Sequence, residues 1–282
     1  MKKIVIGCIF KGKYLGADEE AFIKLSKKKN VEMVFLDLER DLDEGKLKEK
    51  VQRCNIIYNN SAEDFSIEFE KTIEELGKKV IDPSKTYYSN EDKWIFYLKC
   101  KEHGIPAPET ILLSEDLNII KDELKNFGKW PVILKRVLGT CGEFVEKAGT
   151  MTEAAKIIKK WRMKNASIPI IAQEFVRSPS YRVTLINKKI VQTALKESKG
   201  WKATGVYAKN IKRFEIDKSL HEMIKKITKV SDIKICGIDF LKKGNQWLAL
   251  EINSAPGFDF FESEREKLLG KVLDFLKKEA KH

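Results

Sequence analysis

Histidine, proline, arginine and paired cysteine are all sparse in this chain, and each shortage removes a class of protein. The five cysteines (Cys8, Cys54, Cys100, Cys141, Cys236) are odd in number and never spaced Cys-x-x-Cys, and the three histidines lie far apart. Neither a zinc site nor a disulfide framework is expected, and a reducing compartment is. With 16 glycines and 7 prolines in 282 residues, no low-complexity tract, repeat or disordered linker stands out. The first apolar run, behind Lys2 and Lys3, ends by Phe10, too short for a signal peptide or a membrane span. A cytoplasmic protein without a membrane partner is the expectation. Two phosphate-binding signatures are missing as well. No Gly-x-Gly-x-x-Gly follows the first apolar run, and no Gly-Lys-Ser/Thr closes a glycine turn, which argues against a dinucleotide Rossmann site and a Walker A loop.

What the chain has in quantity is lysine. The net charge is +12 and the pI about 9.2. The lysines are spread through every segment (Lys27 to Lys29, Lys159-Lys160, Lys225-Lys226, Lys277-Lys278) beside acids, which reads as solvated helix faces. Arginine is the preferred reader of phosphate and base edges, so its scarcity argues against a nucleic-acid partner. A general attraction for anionic substrates remains. The composition, 43% hydrophobic over 282 residues, is enough for a large core and about two domains. One sequence does not fix the oligomeric state, so monomer and homo-oligomer both stand.

Residues 1–90 alternate apolar runs (Ile4 to Phe10, Val31 to Leu36, Asn55 to Asn59, Val80 to Pro83) with helical stretches near Glu19 to Lys27, Asp43 to Arg53 and Glu63 to Leu76. This β-α-β-α-β order predicts a doubly wound parallel sheet. A helix is expected from Glu91 to His103, stopped by Gly104 and followed by extended Ile105-Pro106-Ala107-Pro108. Lys93 falls in its first turn, an unusual place for a cation; a surface lysine and a lysine aimed at a bound anion are both readings of it. Trp130 to Leu134 forms a strand running into Lys135, and Gly139-Thr140-Cys141-Gly142 forms a turn whose small residues let backbone N–H groups approach phosphate. A helix follows over 150–165, then strands at Pro169 to Val176, Tyr181 to Ile186 and Ile190 to Leu195, with Arg182 and Lys196 at the two ends of a hairpin. Helices near Lys218 to Val230 and Phe261 to Lys278 complete the chain.

The chemistry concentrates in Cys236-Gly237-Ile238-Asp239-Phe240-Leu241 and Trp247 to Gly257, two strand-length runs around a Lys-Lys-Gly-Asn turn. Alternation puts Glu251 and Asn253 on one face of their strand. Two carboxylates and an amide oxygen on facing strands are hard ligands suited to Mg²⁺ held against phosphates. The competing reading makes Asp239 a solvated edge residue and Glu251 the partner of a lysine; the pattern alone leaves both open.

In order, Asp92-Lys93, Gly-Ile-Pro-Ala-Pro, Pro-Val-Ile-Leu-Lys before a glycine loop, Gln-Glu-Phe-Val, Tyr-Arg-Val, and Gly-Ile-Asp-Phe followed by Leu-Glu-Ile-Asn-Ser-Ala-Pro-Gly resemble the ATP-grasp superfamily, in its branch of RimK-like and LysX-like amino-acid ligases. The resemblance implies an α/β protein, α+β in its C-terminal part, with ATP clamped between two subdomains. The expected division is an N-terminal α/β domain over 1–90, a central subdomain with the glycine loop over 91–170, and a C-terminal subdomain with a metal site over 171–282. It implies that Lys93, Lys135 and the Gly139, Thr140, Cys141, Gly142 loop contact ATP phosphates. Gln173, Glu174, Phe175 and Val176 would form the hinge beside adenine, with Ser180 a further nucleotide contact. Asp239, Glu251 and Asn253 would hold Mg²⁺, with Mn²⁺ as the alternative. Lys196 would approach the phosphates and Arg182 the transferred phosphoryl group or acyl phosphate. The implied reaction activates a carboxylate as an acyl phosphate, which an amino acid's amine converts to an amide; glutamate and a small-molecule, peptide or protein carboxylate are the expected substrates.

Two departures from the family pattern bear on this. Ser180 stands where relatives usually carry an acid, and Trp201 to Asn210 lacks their Arg-Gly-Gly. An ATP-grasp kinase of a hydroxyl substrate and a non-catalytic nucleotide-binding relative are the alternatives these leave.

Overall fold

The computed structural model describes residues 3–139, 142–164, 169–202, 208 and 210–281. Strands β1 (Ile4–Phe10), β2 (Val31–Asp37), β3 (Ile56–Asn59) and β4 (Val80–Ile81) form a parallel sheet in the order β2-β1-β3-β4. Parallel strands are covered on both faces, which is why they read as near-continuous apolar runs. Helices α2 (Glu44–Arg53) and α3 (Ser66–Glu75) cover one face through Leu47, Val51, Phe69 and Ile73. On the other, α1 (Ala17–Lys29) contributes Phe22 and Leu25 beside Leu269, Val272, Leu273 and Leu276 of α9 (Glu262–Glu279). The last helix of the chain therefore closes the first sheet, tied to α1 by Lys29 and Asp274 at 2.7 Å.

The helix expected from Glu91 to His103 is α5 (Lys93–Glu102), and a helix not expected from the sequence, α4 (Ser84–Glu91), precedes it. Asp92 separates them as the N-cap of α5, accepting the N–H groups of Trp94 and Ile95 at 2.9 Å each. A central antiparallel sheet holds β5 (Thr110–Leu112), β6 (Val132–Arg136), β7 (Val145–Ala148) and β8 (Ile170–Glu174) in the order β5-β8-β6-β7. Its core packs against α6 (Leu117–Phe127) and α7 (Met151–Lys164) through Leu124, Ile158 and Trp161. Residues 171–174, expected in the C-terminal part, thus pair within the central sheet. Pro179, which has no N–H to donate, interrupts the chain before the next strand.

The third sheet is antiparallel, in the order β11-β10-β9-β12-β13, with β9 (Ser180–Ile186), β10 (Lys189–Glu197), β11 (Asn210–Lys212), β12 (Ile235–Lys243) and β13 (Gln246–Asn253). α8 (Lys218–Ser231) and α5 bury Leu220, Ile224, Ile227, Phe96 and Cys100 against it. Among the described residues no helix is long and apolar enough to cross a membrane. Cys8, Cys54, Cys100 and Cys236 are buried free thiols.

Candidate active site

Register brings the charged residues together. Asp239 on β12 lies directly opposite Glu251 on β13 and opposite Arg182 on β9, while Lys196 on β10 lies opposite Ser180. Directly paired residues share a face, so one patch of the third sheet carries all five side chains. Gly237, two residues before Asp239, makes the patch possible: a Cβ there would lie 2.3 Å from Arg182 Nη1 and 2.8 Å from its Cδ. The missing side chain lets Arg182 lie across β12 and fork onto Asp239, with Nε 2.7 Å from Oδ1 and Nη2 2.7 Å from Oδ2. Lys196 Nζ donates to Oδ1 at 2.9 Å, and Ser180 Oγ at 3.5 Å.

All three ionic partners are shut from water, at 3% exposure for Asp239, 7% for Arg182 and 2% for Lys196. Burial alone would raise the Asp239 carboxyl, but Arg182 and Lys196 outweigh it and hold it well below its ordinary range. Burial pushes Lys196 down, with Asp239 opposing; Arg182, against the same burial penalty, ends above its ordinary value because of Asp239. The reading of Asp239 as a solvated edge residue is excluded. Glu251 forms no ion pair among the described residues, so the lysine-partner reading is not what the structure shows either.

The central sheet faces this patch. Lys135, near the end of β6, is buried at 7% exposure, and burial lowers its ammonium while the Glu251 charge opposes the shift. Lys93 opens α5, its N–H bonded to the Val137 carbonyl and its Nζ to the Gly139 carbonyl, both at 2.9 Å. It is aimed at the glycine turn rather than at solvent. Gly139 and Gly142 take φ values of +127° and +74°, which favour glycine. Thr140 and Cys141, with residues 203–207 and 209, lie outside the described residues.

Between the two antiparallel sheets runs a cleft walled by Ile133, Val145, Val176, Leu241 and Leu250, and lined as well by Lys135, Lys196, Asp239 and Glu251. Of the expected hinge, Phe175 packs edge-on against Trp201 at 6.5 Å, with Lys147 Nζ 4.6 Å above its ring. Glu174 donates its backbone N–H to the Glu109 carbonyl at 2.8 Å and pairs its carboxylate with Lys243. Gln173 is buried and donates to Thr110 Oγ1 at 3.0 Å, which fixes β8 to β5.

The donor set fits a hard divalent cation. Among the described residues no three His, Cys, Asp or Glu side chains converge as a metal cluster; the set is two carboxylates and an amide. The Glu251 carboxylate makes no hydrogen bond among the described residues, and Asn253 donates its amide nitrogen to the Gly237 carbonyl at 3.4 Å, with no hydrogen bond on its amide oxygen among the described residues. Asp239 Oδ1 is saturated by its cations, while Oδ2 accepts one donor and keeps a lone pair.

Two residues at the site escape sequence reasoning. The Phe260 ring centroid lies 5.8 Å from both Arg182 Cζ and Lys196 Nζ. The Glu91 carboxylate accepts the backbone N–H of Ser254, just past Asn253. Glu91 keeps some exposed surface, yet enclosure of its carboxyl end pushes it up to about 7, with the Ser254 N–H and Lys93 opposing. Its position immediately before Asp92-Lys93 was the available signal.

A family profile described as "RimK-like ATP-grasp domain" matches residues 90–274. The chain is 28% identical over 273 residues to the coenzyme gamma-F420-2:alpha-L-glutamate ligase of Methanococcus maripaludis, covering 92% of this chain and 93% of that one. It is 28% identical over 221 residues to a probable alpha-L-glutamate ligase of Psychromonas ingrahamii, covering 75% and 71%. In fold it resembles the D-alanine--D-alanine ligase of Bacillus anthracis complexed with ATP, with a TM-score of 0.75 at 17% identity over 99% of both chains.

Proposed function

We propose, for a chain that belongs to the RimK-like ATP-grasp family and is an ATP-dependent carboxylate–amine ligase, that it adds L-glutamate to a carboxylate-bearing acceptor in a Mg²⁺-dependent reaction. The observation that carries this reading is the charge surplus in the cleft. Lys93, Lys135, Arg182 and Lys196 surround Asp239, Glu251 and Glu91. That sets four cations against three carboxyl groups, of which Glu91 is pushed up to about 7, a balance that a polyanionic nucleotide completes. Both curated relatives are named for L-glutamate, and the +12 net charge favours an acidic acceptor. Four buried free thiols support a cytoplasmic setting.

In this reading the chain divides into an N-terminal domain over 1–90, a central subdomain over 91–170 and a C-terminal subdomain over 171–282, with β8 crossing into the central sheet. Gln173 to Val176 and Ser180 flank the nucleotide base, and Lys93, Lys135 and the Gly139 to Gly142 turn hold its phosphates. Asp239, Glu251 and Asn253 hold the cation, which when bound neutralises charge on the phosphate oxygens; Mn²⁺ suits the same oxygen set.

An acceptor carboxylate oxygen attacks the γ-phosphorus, the bond to the bridging oxygen breaks, and ADP leaves an acyl phosphate behind. Arg182 and Lys196 face the charge that develops on the transferred group, and no nucleophilic side chain is needed. The neutral amine of glutamate then attacks the acyl carbon, phosphate leaves with the bonding pair, and the amine gives up a proton to form the amide.

The test is ADP release with Mg²⁺ and ATP in a screen of acidic acceptors, with and without L-glutamate, for the wild type and Glu251→Ala. ADP and amide formation that need both substrates and vanish in the variant are expected. Full turnover by Glu251→Ala would sink the metal assignment. ADP formation with a hydroxyl acceptor and no amine would make the chain a kinase, and no turnover despite nucleotide binding would make it a non-catalytic relative.

A further inference from the structure

Ser254 leaves the end of β13 and is held twice by α4. Its backbone N–H donates to the Glu91 carboxylate, and its Oγ donates to the Tyr87 carbonyl at 3.4 Å. α4 is in turn anchored on other elements. Ser84 N–H donates to Glu74 at 2.9 Å, Tyr87 Oη to the Ser61 carbonyl at 3.0 Å, and Asn90 Nδ2 to the Ser231 carbonyl at 3.1 Å. Asp92 then turns the chain into α5, which begins at Lys93. The Glu91 carboxylate is therefore a tie between two points: one residue past Asn253, and two residues before the lysine that reaches the glycine turn.

We propose that Glu91 is a positioning residue, which sets the metal-holding end of β13 against the phosphate-holding lysine of α5. The inference rests on the reading of Asn253 and Lys93 given under the proposed function. The bond from a backbone N–H to a side-chain oxygen holds the two at a fixed separation, and the helix carrying that oxygen is fastened to three other parts of the molecule. Without the tie, Ser254 keeps only its longer hydroxyl bond to α4 among the described residues, and the next core residue of the segment is Phe258. The amide oxygen of Asn253 then loses its fixed distance from the phosphates that Lys93 holds. A shift of this kind weakens interactions that need both ends at once, as a cation held by Asn253 beside phosphates held by Lys93 would. Nucleotide binding without the cation uses the lysines and the hinge and is left alone.

Calorimetric titration with a non-hydrolysable ATP analogue, with and without Mg²⁺, tests this in the wild type, Glu91→Asp, Glu91→Ala and Glu91→Gln. Aspartate falls short of Ser254 N–H, alanine has no acceptor, and glutamine keeps an acceptor oxygen at the same reach. The tightening produced by Mg²⁺ is expected to shrink about fivefold in the aspartate and alanine variants, the scale of one lost hydrogen bond. It should stay within about twofold of wild type in Glu91→Gln, and Mg²⁺-free affinity should hold within about twofold throughout. Should the alanine variant fail to fold, the aspartate and glutamine variants carry the comparison. A full Mg²⁺ effect in Glu91→Asp, an equal loss with and without Mg²⁺, or a Glu91→Gln as weak as alanine overturns the inference alone. A wild type whose affinity ignores Mg²⁺ overturns the metal assignment, and this inference with it.

Discussion

Asp239 and Glu70 are equally hidden from water, at 3% and 0% exposure, but the chain surrounds them differently. Asp239 lies on the third sheet under Arg182 and Lys196, at 2.7 and 2.9 Å, and stays ionised. Glu70, on α3 beside the first sheet, has no hydrogen-bond partner on either carboxylate oxygen among the described residues. Burial pushes its carboxyl up to about 9; nearby Asn59 opposes the shift, although its amide donates to Ser66 Oγ at 3.0 Å, and Glu74, Asp82 and Glu91 add to it. Glu70 therefore holds a proton at neutral pH. The difference teaches that burying an acid does not by itself mark a site. A charged acid kept in the core requires matched cations, and where the chain supplies more cations than acids the excess is directed at something anionic.

The largest effect is expected from removing the acid that the cations share. Asp239→Ala leaves Arg182 and Lys196 buried without their counter-ion, a loss of about 3–5 kcal/mol in denaturant unfolding, together with loss of turnover. A cost below about 1 kcal/mol would mean the cations do not depend on it. The pH dependence follows. The folded Asp239 carboxyl lies below its ordinary 3.8, so its stabilisation is present above that value and lost as pH falls through the lower folded value. The wild type should lose stability in acid with a steeper slope than the variant.

Glu70 should behave in the opposite sense. Its folded value near 9 exceeds the ordinary 4.5, so stability is highest below 4.5 and falls as pH rises towards 9. At pH 7 the difference is about 3 kcal/mol. Glu70→Gln removes the titrating proton while keeping the shape. Thermal unfolding across pH 5 to 9 should show a stability that no longer declines, with a gain of about 3 kcal/mol near pH 7. An unchanged slope would show that Glu70 finds a partner that keeps it ionised, and the contrast with Asp239 would fall.

Much of the site was legible because strand alternation is strict. Glu251 and Asn253 had to share a face. Counting back from the turn, however, sets Asp239 opposite Leu250, and only the register shift between Asp239 and Phe240 brings it opposite Glu251. Lys93 in a first helical turn stood open between a surface lysine and one aimed at an anion. The N-terminal sheet was legible from runs buried on both faces. Contacts set by register were not. That Gly237 clears a path for Arg182 follows only once β9 lies beside β12. Nor does the 3.6-residue period of α9 say which sheet its apolar face covers. Other omissions had signals in the sequence. Asp116 and Gly128 cap α6, with Asp116 accepting from Asn118 at 2.7 Å and Gly128 left-handed, and Asp92 ends α4 by capping α5.

The smallest effect sharpens the comparison most. The Phe260 ring stands 5.8 Å from both cations on Asp239, and an aromatic face at that range, close to the ~6 Å limit of the interaction, contributes about 0.5–1 kcal/mol in all. Phe260→Leu keeps most of the apolar bulk and removes the ring's negative face. The expected loss is about 1 kcal/mol in the wild type. In an Arg182→Met, Lys196→Met background the same substitution should cost nothing beyond its packing, so the double-mutant cycle should yield a coupling of about 0.5–1 kcal/mol. Zero coupling would reduce Phe260 to a wall of the cleft. A measured coupling would show that the sheet holds its excess positive charge ready for an anion with a carboxylate on one side and a ring on the other, whereas Glu70 on α3 has no cation paired with it among the described residues.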